Sequence, residues 1–132
     1  MTTIERVTTL LRDELEDVSR RVLGHVPNST CNIRKHQRGT TVHLCASFLA
    51  SQDAETLDLC AEVSPRGSSG QIAVDLVVGG AGDVLAEIGP ILFDWADKEL
   101  SLPNDVLEFL AQIHDQITSY LIGAADPGSG HV

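Results

Sequence analysis

The chain has 132 residues, 42% of them apolar and 21% charged, which suits one domain around one core and excludes general disorder. Its 19 acidic side chains outnumber 9 basic ones, for a net charge of −10, and only 4% of residues are aromatic. Nucleic acid is therefore excluded as a natural partner, because its phosphates are repelled and few rings are present for its bases to stack on. The charge is also uneven. Residues 1–66 hold eight Lys/Arg and nine Asp/Glu, whereas residues 67–132 hold Lys98 alone against ten acids.

The opening stretch MTTIERVTTLLRDELEDVSRR lacks the apolar segment of a signal peptide, and no run of 18 apolar residues offers a membrane span. Three cysteines cannot all pair within one chain. Free thiols in a reducing cytoplasm are the simplest expectation.

The first predicted element is an amphipathic helix over residues 3–23. Ile4, Val7, Leu11, Leu15, Val18 and Val22 form one stripe at helical spacing. Thr2 and Glu5 have the spacing of a capping box, and Gly24 is placed to close the helix in a left-handed conformation. Glu16 with Arg20, and Asp17 with Arg21, are spaced for i,i+4 ion pairs. His25 to Thr30 read as a loop.

Four stretches with period 2 follow: TCNIRKHQ, TTVHLCASFL, LDLCAEV and QIAVDLVV. Each sends small or branched apolar residues to one side. The intervening RG, ASQDAET and SPRGSSG segments are short turns and loops, so the strands should form an antiparallel meander. GGAGDVLAEIGP allows a fifth short strand through Val84, Ala86 and Ile88, ending at Gly89–Pro90. A helical turn could then carry Ile91, Trp95 and Glu99, with a loop over residues 83–100 as the alternative. The last element is a helix over residues 103–122, with Val106, Leu110, Ile113, Ile117 and Leu121 as its stripe and Gly123 as its cap. Residues 124–132 read as a flexible tail. The fold class expected is α+β: a two-layer sandwich of a four- or five-stranded antiparallel meander, with both helices on one face and the domain spanning residues 1–123.

The chemistry-bearing residues are few. If the RG turn sets residue numbers summing to 77, Arg34 lies opposite His43 and Ile33 opposite Leu44. Across the next hairpin one register sets Cys45 opposite Cys60, and the neighbouring one sets Cys45 opposite Glu62. In both, His43, Cys45, Cys60 and Glu62 share the outer face, with Asp58 and Asp75 nearby. No chelating turn, oxyanion site or orienting third group accompanies them. The expectation is that the two cysteines are half-buried strand residues rather than ligands, nucleophiles or a disulfide. His114 reads as a helix-flank residue, with Asp115 directed elsewhere. VVGGAGDVL lacks a phosphate-loop lysine, and no GxSxG or calcium-loop pattern occurs. No catalytic residue, metal or cofactor is expected.

The acids of the second half remain. Asp83, Glu87, Asp94, Asp97 and Glu99 fall within seventeen residues around Trp95, the only tryptophan. An acidic rim about an aromatic anchor is one way to build a protein-binding site, with a basic protein as partner. At the level of architecture and charge alone, the chain is similar to toxin-neutralising immunity proteins and to secretion chaperones. The first analogy implies masking of a basic toxin such as a nuclease. The second implies a homodimer holding a protein segment. The remaining alternative, against that expectation, is a small thiol- or metal-dependent enzyme using His43, Cys45 and Cys60.

Overall fold

The computed structural model describes residues 2–96 and 99–125. The element order is α1 (Thr3–His25), β1 (Thr30–Arg38), β2 (Thr41–Leu49), β3 (Leu57–Arg66), β4 (Ser69–Val78), β5 (Val84–Phe93) and α2 (Asn104–Ala125). The strands form one antiparallel sheet in the order β1-β2-β3-β4-β5. This is the expected α+β layout, with the fifth strand present. The flexible tail expected over residues 124–132 begins inside α2, and residues 126–132 lie outside the described residues.

α1 starts at the capping box read from the sequence: Glu5 N donates to Thr2 Oγ1 at 3.2 Å, and Thr2 N to Glu5 Oε2 at 3.4 Å. It does not stop at Gly24. The helix continues to His25, Val26 caps it, and the left-handed residue is Asn28 at φ 68°. Its ion pairs are also redistributed. Asp17 takes both Arg20 and Arg21, at 3.4 and 3.0 Å, and Glu16 pairs with Arg12 instead of Arg20. α2 likewise runs through Gly123, whose absent side chain leaves open space rather than a cap.

The β1–β2 turn lies one residue further along than the sequence suggested, and the β3–β4 loop is shorter. Gly39–Thr40 and Gly67–Ser68 each connect paired strands, with the glycines at φ 63° and 61°. A positive φ at the first loop position is what a two-residue primed turn demands. The β1–β2 loop sets partners summing to 79 rather than 77, so Arg34 faces Cys45 and His36 faces His43. A slip of two preserves which side each residue faces, so the inner and outer sets are unchanged.

β5 corrects the expectation of a helical turn after Pro90. The strand continues to Phe93, and its register with β4 shifts twice. At the first shift, Gly89 and Pro90 together oppose Ala73. Gly89 has φ 97°, and a Cβ there would lie 2.6 Å from the Ile72 carbonyl oxygen. Only glycine fits such a bulge, and the proline is tolerated because this is an edge strand.

Both helices cover one face of the sheet. Val7, Leu11, Leu15, Val18 and Val22 of α1, with Val106, Leu110, Ile113, Ile117 and Leu121 of α2, close over Leu44, Ala46, Phe48, Leu57, Leu59, Val63, Ile72, Val74 and Leu76. Each fully buried Leu, Ile or Phe contributes on the order of 2 kcal/mol by leaving water. Trp95 seals one end: it meets Phe93 edge-to-face at 6.1 Å over Gly70, where a side chain would collide with both rings.

Candidate functional site

The opposite face of the sheet carries no helix of the described residues. Its residues alternate with the core residues on the same strands, so every outward position is fixed by the packing beneath it. Across the centre run Arg34, Cys45, Cys60, Asp75 and Glu87, one per strand from β1 to β5. His36, His43, Glu62 and Ala73 form the adjoining row. The face is polarised. Cationic Arg34 and Arg38, with His36, stand on β1, and Asp58, Glu62, Asp75 and Glu87 stand on β3 to β5.

Cys45 and Cys60 are joined by a disulfide, with their Cα atoms 4.2 Å apart. This corrects the expectation of two free strand thiols. The decisive fact is the β2–β3 register, which sets them directly opposite in a closely spaced pair. So bonded, neither sulfur can act as a nucleophile or a metal ligand. Among the described residues no group of three or more His, Cys, Asp or Glu is arranged to hold a metal ion. Cys31 is the free cysteine; burial pushes its thiol pKa up, opposed by a hydrogen bond from Ser19.

The acids are brought together by pairing. Asp75 faces Glu87 on β5, and Glu62 sits diagonally across on β3. Burial first, then the charges of Glu87 and Glu62, raise the Asp75 carboxyl above its ordinary value. With His43, Cys60 and Ala73 these three acids line a shallow depression of about 170 Å³. No Lys or Arg of the described residues forms an ion pair with any of them: the ion pairs lie within α1 and between His114 and Asp115. Asp58, in the next row, keeps one carboxylate oxygen buried without a hydrogen-bond partner.

The sequence-chosen acids occupy different places. Asp83 ends the β4–β5 loop, where its carbonyl accepts from Val78 N at 2.9 Å. Glu87 is on the outer face. Asp94 follows β5 and accepts from Ala96 N at 3.0 Å. Asp83 and Asp94 thus flank the ten residues of β5 and stand roughly 30 Å apart along an extended strand. Trp95 is half-buried and turned toward the core end, lining a depression with Ile4, Gln37 and Pro65. Glu99 is exposed in the turn before α2. Asp97 lies outside the described residues. Only Glu87 of this group joins the outer acidic set. Sequence spacing around Trp95 could not find Glu62 and Asp75, which come from other strands; their signal was the period-2 alternation itself.

On α2, Asp115 reaches His114 Nε2 at 3.2 Å, although neighbouring helical positions point apart; the imidazole Nδ1 meets the Ala111 carbonyl. No helix among the described residues is long and apolar enough to cross a membrane. No known family model matches the chain, and no match was found among curated proteins or solved structures.

Proposed function

We propose that the chain is a non-catalytic protein-binding module whose uncovered sheet face receives a basic protein, most concretely in the manner of an immunity or antitoxin protein masking a cationic toxin such as a nuclease. The observation that carries this reading is the set Glu62, Asp75 and Glu87, held against one another with no ion pair to a Lys or Arg of the described residues. Like charges on adjacent strands destabilise the free protein. A partner's Lys or Arg side chains would relieve that repulsion while gaining charge-assisted hydrogen bonds. Asp83, Asp94 and Glu99 lie outside this set and would add to long-range attraction and association rate through the net negative charge. Catalysis finds little support there, because the disulfide removes the thiols and the acids share one open face rather than separated environments.

The test is the affinity for a decalysine peptide across a salt series, using Glu62→Gln, Asp75→Asn and Glu87→Gln together. Weakened binding with a shallower salt dependence is expected. Unchanged affinity and slope would overturn the reading. The same substitutions at Asp83, Asp94 and Glu99 should slow association more than they weaken the complex.

A further inference from the structure

The two edges of the sheet are treated differently. β5 is broken by two register shifts and by Pro90, which has no N–H to donate. β1 is nine residues long and pairs with β2 without interruption, and no strand of the described residues lies on its other side. Which of its backbone groups are free follows from the disulfide pair. Cα atoms 4.2 Å apart mark Cys45–Cys60 as a non-hydrogen-bonded pair, so the Cys45 N–H and C=O point toward β1. The β3–β4 ladder agrees, since Gly79 N donates to Thr56 O, and Cys60 is four residues along from Thr56 in the same alternation. Arg34, opposite Cys45, is therefore bonded to β2. Cys31, Ile33, Lys35 and Gln37 turn their N–H and C=O groups to the open edge.

A cleft of about 430 Å³ lies between α1 and β1, lined by Ile4, Thr8, Thr9, Lys35 and Gln37 among others. A second, about 310 Å³, lies on the outer face over β1 and β2, lined by Asn32, Arg34, Ser47 and Leu49 and reaching Thr56 before β3. An added strand would send alternate side chains toward the inner cleft and toward the outer face. The charge is anomalous too. In a chain of net −10, β1 holds Arg34, Lys35 and Arg38 and no acid. None of these three is in an ion pair with a described carboxylate; Arg34 donates to Ser47 Oγ at 3.3 Å. The charges near the inner cleft largely cancel, since Glu5 is turned onto Thr2 N and Arg12 is held by Glu16, which leaves Lys35.

The geometry points to the open edge of β1 as a docking site for an extended acidic segment of a partner protein, which adds as a sixth strand through the backbone groups of Cys31, Ile33, Lys35 and Gln37. A second copy is the wrong occupant: β1 against β1 sets cations on cations, and β5 is too irregular to serve. This site is separate from the acidic face and does not depend on its partner.

The experiment is amide hydrogen exchange on the full isotopically labelled chain. The probes are a capped seven-residue strand-forming peptide with Glu at alternate positions and its Lys counterpart. With the Glu peptide, the amides of Ile33, Lys35 and Gln37 should slow roughly tenfold or more, while those of Asn32, Arg34 and His36, already laddered to β2, should not change. Arg34→Glu, Lys35→Glu and Arg38→Glu together, all at exposed positions, should weaken the Glu peptide roughly tenfold and favour the Lys peptide. An unchanged core spectrum confirms that this variant folds. Neutralising Glu62, Asp75 and Glu87 should leave the result unaffected, which separates this site from the acidic face. Equal binding of both peptides, no protection at millimolar peptide, protection spread over other strands, or a peptide-free dimer with these amides already protected would each overturn the proposal.

Discussion

On β4, Ile72, Val74, Leu76 and Val78 disappear beneath two helices, while Gln71, Ala73, Asp75 and Val77, interleaved with them, stay half in water. The same alternation recurs on β2 and β3. The inner set is selected by volume and apolarity, because each side chain must fill space against α1 and α2. The outer set answers to charge and cross-strand pairing. It tolerates Asp75 between Glu62 and Glu87, an arrangement no core would accept. A sheet with one closed face and one open face thus separates the residues that fill the core from those that set the surface charge, at single-residue resolution.

The strongest way to break this contrast is to substitute residues of opposite orientation on the same strand. Leu76→Ala should cost about 4 kcal/mol through lost burial and a cavity. Ala73→Ser, three residues away on the outer side, should change stability by less than about 0.5 kcal/mol. Urea denaturation midpoints compare the two directly. If both effects were similar, the outer face would be covered in solution.

The disulfide is the outer face's one strong contribution to stability. Cys60→Ser opens a crosslink between residues 15 apart in sequence and should cost about 3 kcal/mol, read by thermal unfolding with and without reductant. Thiol titration of the denatured, unreduced chain should find one reactive cysteine, Cys31. Three would show the bond open, as a reducing compartment would keep it.

Gly89→Ala tests the edge-strand bulge. The added methyl meets the Ile72 carbonyl in a left-handed backbone region, for a cost of about 2 kcal/mol. Hydrogen exchange should place the loosening in β5 and leave β1 unchanged.

The smallest effect has the opposite sign. The Asp75 carboxyl has a raised pKa when folded, so the folded chain holds that proton to higher pH than the unfolded chain, whose ordinary value is 3.8. The resulting cost is absent below the unfolded value, grows as pH rises between the two, and is complete above the folded one. Asp75→Asn should therefore stabilise the protein at pH 7 by about 0.5 kcal/mol, the scale of a cross-strand charge pair. The gain should fade as the pH approaches 4. A benefit that persists at low pH would mean the carboxylate charge is not its source.

Local patterns in the chain were enough to place most of the architecture. The stripes of α1 and α2 repeat every three or four residues, the strands alternate every two, and the capping box at Thr2 and Glu5 involves neighbours. Such signals depend only on backbone geometry within one element, so helices, strands and the buried set could be read directly. Pairing between elements was decided in three dimensions. A turn at Gly39–Thr40, one residue further along than Arg38–Gly39, moved β1 by two positions, a bulge at Gly89–Pro90 carried β5 past its expected end, and the β2–β3 register joined Cys45 to Cys60. The acidic face has the same origin, for Glu62, Asp75 and Glu87 are far apart in sequence and become neighbours only when β3, β4 and β5 lie side by side. Each of these outcomes depends on contacts between segments whose alignment no local periodicity specifies, because a shift by two residues preserves every buried position while changing every partner.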